Sequence, residues 1–355
     1  MSLPSSFPLV PRAHRCIAAW LFVCCLMVLI MATIGAVTRL TESGLSIVAW
    51  KPVTGALPPL SETAWTAEFN AYRQSPEYVK RNHGMSLDEF KQIYFWEYLH
   101  RLWGRIIGVV FLIPFLGFLI TRQLPRNLVL PLIGIFALGG VEAGVGWWMV
   151  KSGLVNDPRV SPYRLATHLG LAAIIYGALL LTGLRLIWSQ PKQPGRHHLR
   201  CWSFVLIGLV FTTVLAGALV AGLDAGLIYN TFPLMNGSVV PPDVLTMKPL
   251  WRNLFENPAT AQFVHRSLAV LSFTAILCFF LIARRRVLPQ RAVMAWRSVI
   301  VLALVQVSLG IGTLLLTVPV LLASLHQMGA FLLLGSLVIG QEALRQGISQ
   351  DWRPA

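Results

Sequence analysis

Four of the eight histidines, His100, His168, His265 and His326, lie inside long apolar runs, where an ionisable side chain is costly and needs a purpose. The others, His14, His83, His197 and His198, fall in tails or connections. Each buried histidine sits roughly five residues into a run that enters from the same side, so at about 1.5 Å per residue the four imidazoles share one depth. They form two pairs, one in each half of the chain. Two imidazoles on facing helices can clamp a haem iron from both faces, and bundle cores are the usual place for such a site. A zinc ion would want a third or fourth ligand nearby, and neither pair has a convincing one. A lone intramembrane histidine is more often a packing residue or relay, but two matched pairs point to metal ligation.

The second apolar run carries more than its histidine. Glu97, His100, Arg101, Gly104, Arg105 and Gly108 recur at the spacing of one helical face. Glycines there let a flat macrocycle approach the backbone, and guanidiniums can neutralise propionates through paired hydrogen bonds. The alternative is that Arg101 and Arg105 snorkel or pair with Glu97. A partly desolvated carboxylate one turn outward of His100 is suited to take and return protons. Ser86 followed by Glu89 is a capping-box pattern, which starts this helix before the membrane.

These residues need elements to hold them, and composition says which kind. The chain has 355 residues, 55% hydrophobic and only 12% charged, against roughly 25% charged in a soluble domain. Eight stretches reach the approximately 20 apolar residues that span a bilayer: Cys16 to Val37, Tyr94 to Ile120, Leu128 to Val150, Leu165 to Leu184, Cys201 to Leu223, Phe263 to Ala283, Trp296 to Val318 and Val320 to Ile339. The first is longer than a signal-peptide core and has no obvious small-residue cleavage site, so it reads as a retained helix. The net charge of +15 would suit nucleic acid only if the basic residues formed a stripe on a soluble fold. They sit between apolar runs, which excludes that partner and leaves the lipid bilayer.

Orientation follows from Lys and Arg counted by side. The even-numbered connections and both tails carry most of them, among them Arg12, Arg15, Arg122, Arg126, Lys192, Arg196, Arg284, Arg285, Arg286 and Arg353. That side, with both termini, is expected to be cytoplasmic. The five cysteines, Cys16, Cys24, Cys25, Cys201 and Cys278, all lie in or at the ends of expected spans, which predicts small buried hydrophobes rather than disulfides.

The two halves parallel each other. Gly35 to Leu45 matches Gly217 to Leu227, with Glu42 opposite Asp224. Each is followed by an aromatic, a Gly and several Pro: Trp50, Pro52, Gly55, Pro58 and Pro59 against Phe232, Pro233, Gly237, Pro241 and Pro242. EYLHR at Glu97 parallels QFVHR at Gln262, and RLATHLG around His168 parallels LLASLHQMG around His326. The predicted fold is an all-α integral membrane protein of two pseudo-symmetric four-helix bundles, residues 1–190 with a long outer connection over 38–93, and residues 191–355. Both halves begin on one side, so the repeat is parallel. Glu97 aligns with Gln262, Arg105 with Val270 and Glu142 with Gln306. The first half therefore keeps ionisable groups that the second replaces, which makes the first the reactive one.

At EYLHRLWGR, Glu97 to Arg105, together with TRLTESGLSIVAWKPVTGALPP, Thr38 to Pro59, the sequence resembles the haem A synthase family over essentially all eight helices. The resemblance implies an inner-membrane oxidoreductase that oxidises the C8 methyl of haem O to a formyl, giving haem A for terminal oxidases. It implies that residues matching His100 and His168 hold the substrate haem, with Glu97 important for activity, and that those matching His265 and His326 hold a haem b. The first outer connection contains no cysteine, so the chain looks like the cysteine-free subtype of the family. Arg101, Arg105 and Arg266 are the expected propionate partners. Expected partners are the synthase that supplies haem O, an electron-transfer protein of unidentified kind and a second copy of the chain. Two other readings of the histidines stay open at this point: a di-haem cytochrome that only transfers electrons, and a transporter with a proton relay.

Overall fold

A computed structural model describes residues 11–50, 54–155, 158–188 and 198–345; Pro52, Lys192, Arg196, His197 and Arg353 lie outside them. The helices are α1 (Arg12–Leu40), α2 (Glu62–Tyr72), α3 (Pro76–Lys80), α4 (Leu87–Ile120), α5 (Arg126–Gly153), α6 (Pro162–Ile187), α7 (His198–Gly222), α8 (Asn253–Glu256), α9 (Pro258–Ala283), α10 (Gln290–Leu315) and α11 (Val320–Arg345). All but α2, α3 and α8 are long and apolar enough to cross a bilayer, which makes eight spans among the described residues. The chain is an all-α, multi-pass membrane protein.

The expected spans lie within these helices with two corrections. Helix α7 ends at Gly222 and α10 at Leu315, short of Leu223 and Val318. Past α10 the backbone of Thr317 and Val318 takes positive φ, 62° and 59°, which a right-handed helix cannot continue through. Helix α4 starts well before the membrane because Ser86 Oγ accepts from the Glu89 backbone N–H at 3.3 Å while Glu89 returns a bond to the Ser86 N–H at 2.8 Å.

Helix α1 packs on α4 and α6, and α5 on α4 and α6; α7 packs on α9 and α11, and α10 on α9 and α11. The two quartets meet where α1 and α6 touch α11 and α7. The continuous core lies there, around Ile17, Leu21, Leu179, Leu206, Phe331 and Leu337. Half of the apolar window of α1 and of α11 is buried in protein, against 11% for α4, α5 and α10, whose remaining surface is left for lipid. In a bilayer such helices associate through close packing and interhelical hydrogen bonds rather than by escaping water. Trp20 and Trp103 thus give their indole N–H to the Val110 and Met27 carbonyls at 2.8 and 2.9 Å, and Gln327 of α11 gives its amide to the Ala32 carbonyl of α1 at 2.6 Å.

The cysteines divide. Cys24 and Cys25 are buried, but Cys16, Cys201 and Cys278 are exposed on the protein, which corrects the expectation of five buried thiols. On a spanning helix lipid supplies the apolar surroundings, so a cysteine there needs no protein neighbour.

The connections after α1 and α7 are folded segments. Over the first, Tyr72, Tyr78, Phe90 and Tyr94 form a separate aromatic core joined by Trp65 and Phe69. The second is held by polar contacts: Tyr229 gives its hydroxyl hydrogen to Asp243 at 2.6 Å, and Asn257 caps α9 by accepting from the Thr260 N–H at 3.0 Å. Glu42 and Asp224, just past α1 and α7, share the same left-handed conformation with φ of 52°. Arg39 at the end of α1 reaches across to Asp224 at 2.6 Å and so fastens one half to the other.

Candidate functional site

The four histidines enter on α4, α6, α9 and α11 near the face of the long connections. His100 and His168 stand with ring centroids 6.5 Å apart, and His265 and His326 stand 6.4 Å apart. Two metal–imidazole bonds of about 2 Å each, plus the reach from each ring nitrogen to its ring centre, add up to roughly 6 Å. The spacing therefore fits one iron between each pair. Among the described residues no group of three or more His, Cys, Asp or Glu side chains is placed to hold a metal ion, so neither pair is part of a zinc-type set.

Each ring lies against a glycine of the preceding spanning helix. A Cβ built on Gly35, Gly146 or Gly217 would fall 3.0 Å from the Cε1 of His100, His168 or His265, and one on Gly310 would fall 2.8 Å from that of His326. Any larger residue would push the ring inward, so these four glycines set the ring positions. The Nδ1 of His265 bonds to the Thr213 carbonyl at 3.1 Å, which makes Nδ1 the donor and leaves the Nε2 lone pair for a ligand. The Nδ1 of His168 lies 3.0 Å from Oε1 of Glu142, at hydrogen-bond distance but out of line with the ring N–H.

Glu97 is almost completely buried, and three donors converge on it. Oε2 accepts from the Ser46 hydroxyl and the Ile47 backbone N–H, both at 2.7 Å, and Oε1 from Arg101 at 2.5 Å. Arg101 also bonds the Ile47 carbonyl at 2.9 Å and lies over the Trp50 ring. The carboxylate and guanidinium thus fasten the first long connection onto α4. In the second half, Gln262 gives its amide to the Tyr229 carbonyl at 3.1 Å, and Arg266 bonds the Pro233 carbonyl at 2.9 Å and lies over Phe232. The same two positions tie down a loop in both halves, with a charge only in the first. Gly104 faces Met31 of α1 and serves helix packing rather than the approach of a ligand, whereas a Cβ on Gly108 would meet open space. Arg105 follows one turn further along α4.

The COX15-CtaA family, described as cytochrome oxidase assembly protein, matches residues 18–338, a range that takes in both histidine pairs. The chain belongs to the COX15-CtaA family. Within it, the chain is 51% identical over 334 residues to a protein of Rhodospirillum centenum named Heme A synthase, which covers 94% of this chain and 89% of that protein. Proteins of the same name from Nitrosospira multiformis and Paramagnetospirillum magneticum are each 49% identical, the first over 93% of this chain and 94% of its own length, the second over 91% and 92%.

Sequence reasoning missed several parts of this COX15-CtaA site. Ser46 and Thr213 act through groups far in sequence from their partners. The four glycines carried a signal: Gly35 and Gly217 head the matched repeat segments, and Gly146 and Gly310 each follow the Glu142 and Gln306 pair by four residues.

Proposed function

We propose that this chain is a haem A synthase, an oxidoreductase that converts the C8 methyl of haem O to a formyl group. The observation that carries the proposal is the His100–His168 pair, spaced for an iron porphyrin in the half of the molecule that also holds Glu97 and Glu142. The extent of identity to proteins bearing that name supports it. Residues 1–190 take haem O as substrate between His100 and His168, and residues 191–355 keep a haem b between His265 and His326. When bound, iron porphyrin supplies the one-electron redox chemistry.

The protein's own groups bind, orient and move protons. The four imidazoles present ligand nitrogens at a separation set by the glycines behind them. Glu97 accepts the proton shed as the methyl is oxidised, and the Ser46 hydroxyl on its Oε2 is the partner able both to accept and to give one. Arg105 and Arg266 neutralise the propionates; Arg101, expected to share that role, is instead paired with Glu97 and the Ile47 carbonyl. A buried Nη1 of Arg266 without a hydrogen-bond partner fits that role. The long connections lie on the periplasmic side of the inner membrane with both termini cytoplasmic, as the distribution of basic residues supports. Haem O reaches the site from its own synthase; the formyl oxygen comes from water when an electron-transfer protein removes the electrons of the methyl oxidation, and from dioxygen when that protein delivers them.

The test is expression in bacteria that make haem O but lack haem A, followed by chromatography of the extracted haems. Appearance of haem A is the expected result. Bound haem in the purified protein with no haem A or hydroxymethyl haem in the cells would overturn the proposal in favour of an electron-transfer cytochrome.

A further inference from the structure

We infer that Glu142 is a positioning residue that fixes the ring tautomer of His168 and strengthens it as a ligand, so that the two histidine pairs are electronically unequal. The inference rests on the reading that His100 and His168 hold the substrate haem.

Four residues before each of the four glycines, one turn back along the same helix, stand Met31, Glu142, Thr213 and Gln306. The four positions are equivalent along the helices that carry the glycines, and the groups they offer differ. Thr213 offers His265 a neutral backbone carbonyl at 3.1 Å. Gln306 gives its amide to the backbone carbonyl of His326 at 2.9 Å and leaves the ring Nδ1 buried without a partner. Met31 has no group to offer, and Nδ1 of His100 is likewise buried without a partner. Only Glu142 brings a carboxylate, with Oε1 3.0 Å from Nδ1 of His168, a charge contact that is not an in-line hydrogen bond. Its other oxygen, Oε2, is buried with no hydrogen-bond partner, so no competing structural contact accounts for an acid at this place.

A carboxylate 3.0 Å from Nδ1, although out of line with the ring N–H, favours the tautomer that carries the proton on Nδ1 and leaves the Nε2 lone pair for a ligand. It also raises the electron density of the ring. An iron held there is stabilised in its oxidised form relative to one held by His265 and His326, whose ring contacts are neutral or absent. That asymmetry suits a first site that undergoes oxidation and a second that only passes electrons.

The experiment is a redox titration, followed optically and by low-spin EPR, of the purified full chain loaded with haem O. The first-site haem is defined as the one lost in His100→Ala. In Glu142→Gln the first-site potential is expected to shift upward and its EPR signature to change, with the second haem unmoved. In Gln306→Glu the second haem is expected to shift downward with the first unmoved. If Glu142→Gln loses only the first-site haem, and Glu142→Asp regains it, the inference is also supported. A bound first-site haem with unchanged potential in Glu142→Gln overturns it. So does loss of both haems with unfolding, or a first-site loss that Glu142→Asp does not repair. His168→Ala separates the two levels of argument: retention of the first-site haem there sinks the ligand assignment itself, not the role of Glu142 alone.

Discussion

The imidazole of His100 rests against Gly35 of α1 so closely that a methyl group there would sit 3.0 Å from the ring Cε1. The same contact recurs at His168 with Gly146, His265 with Gly217 and His326 with Gly310. A ring held this way cannot retreat toward its neighbouring helix, so it faces its partner across the quartet. Replacing any of the four glycines by Ala is expected to weaken haem binding at that site alone, by about tenfold or more. Haem per protein after purification measures it. Gly117, exposed with nothing near its Cβ direction, is the control, and Gly117→Ala should keep full haem content.

His265→Ala and His326→Ala are each expected to lower bound haem b in the purified protein, because each removes one of two axial ligands. His100→Ala and His168→Ala should keep that haem b and abolish conversion of haem O. Unchanged haem content and spectrum in both second-half variants would refute the assignment of the resident haem.

Glu97→Gln keeps the shape of the side chain and copies Gln262. Its amide, however, must point an N–H at Arg101 or at the Ser46 and Ile47 donors, so one of the present bonds is lost. Haem b content is expected to stay near normal while haem O or its hydroxymethyl form accumulates, with haem A production down on the order of a hundredfold. Near-normal haem A production would remove Glu97 from the chemistry. Loss of all haem would reduce it to a strut for the loop.

Glu77 is expected to make the first long connection sensitive to pH. Burial pushes its carboxyl up to about 7, with Glu97 and Glu42 adding to the rise and the Tyr72 hydroxyl and Arg81 opposing it. Because the folded value lies above the unfolded one, the stability linked to this group is fully present below the unfolded value and is lost as pH rises through about 7. Proteolysis of residues 54–86 in right-side-out membranes is therefore expected to be slower near about pH 5 than near about pH 8. Glu77→Gln should flatten that difference; a pH profile identical to that of the unsubstituted protein would show that Glu77 is not its source.

Much of this protein was legible in the sequence because lipid imposes a simple rule. A span must satisfy its backbone internally and carry about 20 apolar residues, so eight runs in the string become eight helices, and the rare ionisable residues inside them stand out. The Ser86 capping box was readable because both partners lie within one turn. What the string could not carry was the distance across the quartets. The separation of His100 from His168 depends on how closely α4 and α6 approach through their neighbours, which the glycines at 35 and 146 set by the absence of a side chain. Glu97 read as a base one turn from a histidine, but Ser46 and Ile47, about fifty residues earlier, reach it only because the connection folds back over α4. The same holds for Glu142 and Gln306. They align in the two halves, yet one carboxylate lies at a ring nitrogen and the other side chain binds a backbone carbonyl. Side-chain direction is decided by packing between helices distant in sequence, and only the tertiary structure supplies it.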